Sequence, residues 1–249
     1  LYEAWVKLQI GEIDTALVYA YAKSSPGDLP MVLSRQLDPY TVGPLWPDSV
    51  SLAALQARAL LDGGRWSEAD FAEVAARNRR NALGNPNAQL AWDRSADDVL
   101  GEDYLVAPLR KSDCAPITDG AAAIVLAAGD VARSKVERPA WIRGIDHRIE
   151  PIHLGLRDLT VSESTRIAAE KAGVADGAVD VAEVHAPFSH QELILREAMA
   201  IGDATSVNPS GGALSANPMM TAGLVRIGEV ASRISSGDAG RGVAHATSG

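Results

Sequence analysis

The chain has 249 residues, of which 47% are hydrophobic and 22% charged, and its formal net charge is −9. This composition is typical of a globular domain and excludes a disordered or collagen-like chain, and the acidic balance disfavours nucleic-acid binding. Cys114 is the single cysteine, so an internal disulfide and a four-cysteine metal site are excluded. No apolar run of about 18 residues is present, and we expect a cytoplasmic protein without a membrane span.

Both ends of the chain resemble interior segments of a fold. Leu1, Trp5 and Leu8 follow helical spacing, and Gly11 is a suitable helix end. Residues 242–249 are typical of a strand that runs into a turn. We therefore expect a core segment of a longer protein, with residues lacking at both ends.

The first half combines one strand with a long helical region. Residues 15–22 are rich in β-forming residues and predict a buried strand. Prolines and glycines punctuate residues 24–47, which predicts an irregular segment with short helical pieces. A helix is predicted over 49–61, and Ser67 begins another, with an acidic residue three positions later to complete a capping box. Residues 24–111 are therefore predicted to be a mostly helical insertion.

The second half alternates strands with helices. The predicted strands lie at 121–128, 140–149, 179–186 and the end of the chain. Thr160 and Ser189 are the predicted N-caps of two helices, and Asn217–Pro218 is predicted to open a long third helix. This alternation is typical of a layered α/β fold.

Three segments resemble the thiolase superfamily in their order and spacing. They are residues 10–18 (IGEIDTALV), 113–123 (DCAPITDGAAA) and 207–212 (VNPSGG). In that family the similar segments follow the nucleophile, close the first half of the fold, and form a turn near the active site of the second half. Within the superfamily the chain resembles the lipid-transfer-protein branch, related to the thiolase part of sterol carrier protein x and linked to steroid side-chain degradation.

The resemblance implies a five-layered α/β/α/β/α fold of two similar halves, of which this chain lacks much of the first half and the last strand. Residues 1–23 would end the N-terminal half, 24–111 would be a loop domain over the acyl-CoA site, 112–134 would hold the last strand of the N-terminal half, and 135–249 would form the C-terminal half. The resemblance also implies homodimers and substrates carried as coenzyme A thioesters, without a covalently bound cofactor.

The same resemblance indicates four candidate catalytic residues, which are His185, Asn217, His245 and Thr247. His185 lies where the family has Asn-Glu-Ala-Phe or His-Asp-Cys-Phe, and a histidine at a strand end can hold a thioester oxygen or move a proton; a bond to a loop carbonyl is the alternative. Asn217 replaces the histidine of a Gly-His-Pro segment and could donate to an oxyanion, cap a helix, or do both. His245 and Thr247 lie near the second cysteine loop of the family.

The turn at residues 210–212 and the residue His190 are the remaining candidates for a binding role. Ser210, Gly211 and Gly212 are predicted to contact the substrate because glycine lets backbone approach closely, and a tight turn is the alternative. His190 is expected to face solvent, and a zinc site formed by His185, His190 and Glu192 lacks a recognised ligand spacing, so no metal is predicted.

These features favour retro-aldol cleavage of a β-hydroxyacyl-CoA. Cys114 does not lie at the nucleophile position of the family, and we expect it to be a small buried side chain. Pro187 replaces the second cysteine of the family. Retro-aldol cleavage needs a base for the hydroxyl group and donors for the enolate, but no covalent acyl-enzyme. We expect a carbon–carbon lyase that releases a short acyl-CoA, in which His185 holds the thioester oxygen and His245 or Thr247 handles the hydroxyl proton.

Two other functions stay open at this point. An acyltransferase would use a nucleophilic cysteine from the absent N-terminal part, and a non-catalytic subunit would bind acyl-CoA or lipid without turnover. Related proteins work with a small partner that carries an OB fold and a zinc ribbon, so the resemblance also implies a hetero-oligomer.

Overall fold

The computed structural model describes residues 1–151 and 153–247. The α-helices are α1 (Tyr2–Gln9), α2 (Leu29–Ser34), α3 (Ser49–Asp62), α4 (Glu68–Asn81), α5 (Ala96–Leu100), α6 (Gly129–Lys135), α7 (Glu163–Lys171), α8 (Ser189–Ala198), α9 (Gly212–Ser215) and α10 (Ala222–Ser236). The strands are β1 (Thr15–Ala22), β2 (Tyr104–Val106), β3 (Leu109–Arg110), β4 (Gly120–Ala127), β5 (Val181–Val184), β6 (Ser206–Val207) and β7 (Gly242–His245). Within the described ranges, none of these helices is long and apolar enough to cross a bilayer.

Two sheets lie on either side of α10. The first pairs β1 with β4 in antiparallel register, and the second is parallel in the order β6-β5-β7. Helix α10 packs against β4 of the first sheet and against β5 and β7 of the second, while α8 packs against β5 and is in turn contacted by α7. The predicted layered α/β architecture is confirmed.

The helices of the predicted insertion pack directly onto α8, the helix that covers β5 of the second sheet. Its largest buried side chains, Phe71 and Leu60, belong to a cluster that also includes Leu193 of α8. The opposite side of α8 contributes Leu195 to a second cluster on β5. Because α8 contributes to both cores, the position of the insertion is coupled to the end of β5. The capping box predicted at Ser67 is confirmed, and it starts α4.

Residues 140–149, predicted as a strand, are irregular in the structure. A Cβ on Gly144 would overlap the carbonyl oxygen of Ala172, which closes α7. The backbone of this segment therefore packs against a helix end rather than against a neighbouring strand. Alternation of apolar residues predicts a strand only where a ladder partner is available.

Strand β1 is confirmed, but it is buried on one face only. Leu17, Tyr19 and Tyr21 are 66%, 69% and 73% exposed, whereas the residues between them point inward. An antiparallel pair can bury one face and leave the other bare, so a run rich in β-forming residues does not by itself predict a fully buried strand.

The predicted helix starts also differ from the structure. The caps of α7 and α8 are Ser162 and Phe188 rather than Thr160 and Ser189. Asn217–Pro218 is not helical, and α10 begins only at Ala222 after a 3-10 turn. Proline favours a helix start only when its neighbours are free to become helical, and here tertiary contacts hold them in a non-helical conformation.

The turn at residues 208–212 is the tightest connection in the second sheet. Asn208, Gly211 and Gly212 have φ angles of +48°, +95° and +60°. A Cβ on Gly211 would lie 2.6 Å from the Cβ of Ala82. Glycine is therefore required at position 211 both by its backbone angle and by its surroundings.

We expect Gly211→Ala to lower the free energy of unfolding by about 2 kcal/mol or more, because it adds left-handed strain and overlap with Ala82. Gly228→Ala is the matched control, since Gly228 lies within α10 and a Cβ there meets nothing within 4 Å. That change should raise the free energy of unfolding by up to about 1 kcal/mol. Urea unfolding curves measure both values, and equal effects of the two variants would contradict this interpretation.

Candidate active site

His185 is held at the carboxyl end of β5 by three contacts. Its main-chain N–H donates to the carbonyl of His245 at 3.2 Å. Its imidazole is buried, with Nδ1 3.1 Å from the carbonyl oxygen of Thr247 and Nε2 2.9 Å from Oδ1 of Asn217. The fold therefore brings together His185, Asn217 and the backbone of Thr247, which are 32 and 62 residues from His185 along the chain.

The contact with Thr247 decides which ring nitrogen of His185 carries a proton. A carbonyl can only accept a hydrogen bond, so Nδ1 donates. Burial, together with the charge of Arg226, lowers the pKa of His185, and the ring is neutral near physiological pH. Oδ1 of Asn217, which faces Nε2, can only accept a hydrogen bond, so a neutral ring protonated on Nδ1 requires the opposite amide orientation, in which Nδ2 of Asn217 donates to Nε2.

Asn217 is fixed by the strand entry that precedes β4. Its main-chain N–H donates to Oγ1 of the buried Thr118 at 2.9 Å. The same segment runs beside the residues that follow His185, since the N–H of Ala115 donates to the carbonyl of Pro187 at 2.8 Å. Asn217 thus serves as a tertiary anchor here and not as the helix N-cap considered from the sequence.

His245 and Thr247 lie near His185, but the side chain of His245 is directed toward α7 and Thr247 contacts His185 through its backbone. The ring of His245 turns toward α7, where Nε2 is 3.4 Å from Oγ1 of Thr165. Burial first, and then the neighbouring His185, lowers the pKa of His245 to about 4. Thr247 meets His185 through its main-chain carbonyl. The side-chain roles predicted for both residues stay predictions, while the contacts observed are structural.

Ser210, Gly211 and Gly212 lie behind His185 and are buried in protein. The N–H and Oγ of Ser210 donate to the carboxylate of Glu183 at 2.9 and 2.7 Å, and Nη1 of Arg226 donates to the same carboxylate at 2.7 Å. The residues that meet this turn in the structure are the protein's own, and the predicted substrate contact stays a prediction. Their observed role is to support the end of β5.

His190 is fully buried, which overturns the expectation that it faces solvent. Its Nε2 lies 3.1 Å from Oε1 of Gln56, and its ring packs near Phe71 with centroids 5.7 Å apart. Burial lowers the pKa of His190 to about 3. Within residues 1–151 and 153–247, no group of histidine, cysteine and carboxylate side chains is arranged to hold a metal ion.

Cys114 is a protonated thiol in this fold. Its Sγ donates to the carbonyl of Arg110 at 3.4 Å, and burial raises the thiol pKa to about 12. A thiol with this pKa is a poor nucleophile, because the thiolate is the reactive form. The side chain is only partly buried, whereas the sequence predicted a small buried one.

Sequence reasoning missed Thr118, Glu183 and Arg226. The last two carried a readable signal, because Glu183 interrupts an apolar strand and Arg226 interrupts the apolar stripe of α10. A charge in each of two apolar elements is typical of a buried ion pair. Thr118 gave no comparable signal.

A cleft opens beside His185 and Asn217 with mainly apolar walls. The cavity is large and open, and its lining residues also include Pro116, Ile117, Phe188, Met219 and Met220. Two adjacent methionines provide a flexible apolar surface. The arrangement can therefore place an apolar group against a neutral imidazole and an amide.

No family model matches the chain. The chain is 30% identical over 215 residues to the acetyl-CoA acetyltransferase of Methanothermobacter thermautotrophicus, covering 77% of this chain and 56% of that protein. Among solved structures, the Ltp2-ChsH2(DUF35) aldolase has a TM-score of 0.78 at 19% identity, covering 94% of this chain and 68% of that one. A monomeric SCP2-thiolase like protein type 1 from Mycobacterium smegmatis has a TM-score of 0.73 at 19% identity, covering 94% and 53%.

The sequence match relates the chain to thiolases, and the structural matches show its fold. The chain spans 56% of the length of the acetyltransferase, about half of that curated relative. Both solved structures share less than a quarter of their residues with this chain, and they show that its fold is thiolase-like.

The buried histidines predict an acid-sensitive fold. In the unfolded chain a histidine titrates near pH ~6.5, so below that pH the unfolded state binds protons that native His190 cannot bind until about pH 3. The free energy of unfolding should therefore fall with decreasing pH by up to about 1.4 kcal/mol per pH unit for this residue. His190→Phe should flatten that slope between about pH 6 and pH 4, measured by urea unfolding.

His147→Gln is the matched control, because His147 is exposed, and it should keep the wild-type slope. Identical slopes for wild type and His190→Phe would contradict the effect assigned to burial.

Proposed function

From the premise that this chain belongs to the thiolase superfamily, we propose that it acts on acyl-CoA thioesters and cleaves the carbon–carbon bond of a β-hydroxyacyl-CoA in a retro-aldol reaction. The observation that carries the proposal is the pair formed by His185 and Asn217, in which Nε2 of a buried imidazole lies 2.9 Å from Oδ1 of the side-chain amide. Such a pair can move a proton and stabilise an oxyanion without forming a covalent intermediate.

The thiol chemistry of the chain supports a non-covalent reaction. Cys114 is the single cysteine of the 249 residues, and its thiol pKa is raised to about 12. Pro187 follows His185 by two positions and offers no acid or base. Retro-aldol cleavage requires neither group, whereas thiolysis requires a thiolate nucleophile.

The proposed reaction assigns one role to each member of the pair. Nε2 of His185 takes the proton of the β-hydroxyl group, the Cα–Cβ bond breaks, and its electron pair forms the thioester enolate as the β-carbon becomes a carbonyl. The amide of Asn217 donates to the enolate oxygen. The imidazolium then returns the proton to Cα, which gives the shorter acyl-CoA and restores the base. In this assignment His185, rather than His245 or Thr247, handles the hydroxyl proton.

The apolar cleft supports a bulky substrate. Ile117, Phe188 and Met219 line the same open cavity as His185. A β-carbon with two carbon substituents would leave as a ketone and one with a single substituent as an aldehyde, and a steroid side-chain ester is the bulky substrate that we propose. The solved Ltp2-ChsH2(DUF35) assembly, whose fold is similar, is an aldolase.

The assembly and location are parts of the same proposal. We propose a homodimer and a small partner with an OB fold and a zinc ribbon, as the family resemblance implies, and the pairing of two proteins in the solved aldolase is consistent with a partner. The single cysteine supports a reducing, cytoplasmic location.

An acyltransferase is the second candidate, and the sequence match to an acetyl-CoA acetyltransferase favours it. In that case a cysteine outside these 249 residues would be the nucleophile, and His185 and Asn217 would form the oxyanion-binding pair. A subunit that binds acyl-CoA without turnover is the third reading, and it predicts binding that does not depend on Nε2 of His185.

The test uses the full-length protein with its partner and a β-hydroxyacyl-CoA whose β-carbon carries two carbon substituents, one of them bulky and apolar, so that cleavage gives a ketone. We expect release of a ketone and a shorter acyl-CoA, followed by mass spectrometry. His185→Gln should lower kcat by about 100-fold or more, because it removes the base. Cys114→Ser is the matched control and should keep kcat within about twofold, since the thiol stays protonated.

An acyl group trapped covalently on the protein would favour the acyltransferase. Substrate binding without ketone release from folded wild-type protein would favour the non-catalytic subunit.

A further inference from the structure

We propose that Glu192 is a positioning residue, whose buried carboxylate holds Asn208 against β5 and thereby fixes the orientation of His185. The inference rests on the proposed function for its catalytic consequence, but the geometry and the main readout below are independent of activity. Glu192 lies in α8 and does not contact His185 directly.

The carboxylate of Glu192 is fully buried and receives three donors. Nη2 of Arg77 forms an ion pair with Oε1, while the amides of Asn78 and Asn208 donate to Oε2 at 2.8 Å each. A buried carboxylate is tolerated only when its charge is paired and its lone pairs are used. Glu192 therefore has a fixed position, set by donors from α4 and from the turn after β6.

Asn208 transmits this position to β5. Its Nδ2 is taken by Glu192, so its Oδ1 is aimed at the N–H of Val184, which donates to it at 2.7 Å. Its main-chain N–H donates to the carbonyl of Ala182 at 2.8 Å. The backbone at Asn208 is left-handed, with φ +48°, a conformation that asparagine tolerates better than most residues.

At the end of β5, the side-chain amide of Asn208 accepts a hydrogen bond that a neighbouring strand would otherwise accept. Strand β6 pairs with Val181 and Ala182 and then stops, so the N–H of Val184 has no backbone partner from β6. The side chain of Asn208 supplies one in its place. On the opposite edge, the N–H of His185 donates to the carbonyl of His245. The end of β5 is thus anchored on both edges, directly beside the catalytic pair.

Charged and titratable groups surround this position on the other packed elements. Arg226 of α10 and Glu183 of β5 form an ion pair at 2.7 Å, and His245 of β7 lies against α7. None of them contacts Glu192 in the hydrogen-bond network described above. The hydrogen-bonded path from Glu192 to the end of β5 runs through Asn208 to the N–H of Val184, which precedes His185.

The test is Glu192→Gln in the full-length protein, labelled with ¹⁵N-histidine. Glutamine has the same shape as glutamate, but its NH₂ group would face one of the three donors. Because glutamine is neutral, it also leaves Arg77 without a counter-charge. The variant should loosen the end of β5. We expect the His185 signals to shift from a single Nδ1-protonated form to a mixture of tautomers, and its titration midpoint to rise because the ring becomes better hydrated.

In steady-state kinetics on the proposed substrate, Glu192→Gln should lower kcat by about tenfold or more and leave KM within about twofold, because orientation is lost rather than binding. The His185→Gln variant assigns the His185 resonances.

Glu197→Gln is the matched control. Glu197 also lies in α8 and pairs with Arg65 at 3.0 Å, but at the surface. It should leave the His185 tautomer, titration midpoint and kcat unchanged.

Asn208→Gly keeps the inference testable if Glu192→Gln does not fold. Glycine adopts a φ of +48° without strain and removes both side-chain bonds, so it should give the same change at His185. Unchanged His185 tautomer and midpoint in either folded variant would overturn the proposal. Altered His185 signals without any ketone release from wild type would instead refute the proposed function and leave the positioning role intact.

Discussion

The structure depends on two buried carboxylates. Glu183 in β5 and Glu192 in α8 are both fully buried, and each must gather donors from elsewhere in the chain. Arg226 reaches Glu183 from α10, and Arg77 reaches Glu192 from α4. Both networks end on the turn at residues 208–212. Because a buried charge without its donors is costly, folding brings α4, α8, α10 and this turn together around the end of β5.

This constraint makes the helical insertion part of the site. Residues 24–111 share a core with α8 through Phe71 and Leu193, and α4 also donates to Glu192. The insertion is therefore not a lid that rests on a finished scaffold. Hydrogen bonds connect α4 through Glu192 and Asn208 to Val184, the residue before His185.

The chemistry of the site follows from one carbonyl group. The carbonyl of Thr247 accepts from Nδ1 of His185, burial lowers the pKa of the ring, and Oδ1 of Asn217 lies 2.9 Å from Nε2. The thiolase-like scaffold thus holds a buried imidazole and a side-chain amide together at the end of β5. The protonated thiol of Cys114 takes no part in this arrangement.

The sequence by itself determined the local structure and the family. It predicted α3, the capping box at Ser67, β4 and β5, and it placed His185 at a strand end, because each of these depends on neighbouring residues. Only the tertiary structure decided the burial of His190, the direction of His245 and the irregular path of residues 140–149. These depend on partners distant in the sequence: Gln56 is 134 residues from His190, and Thr165 is 80 residues from His245. Periodicity reports which face of an element is apolar, but it does not report which polar group from another element will meet a buried side chain.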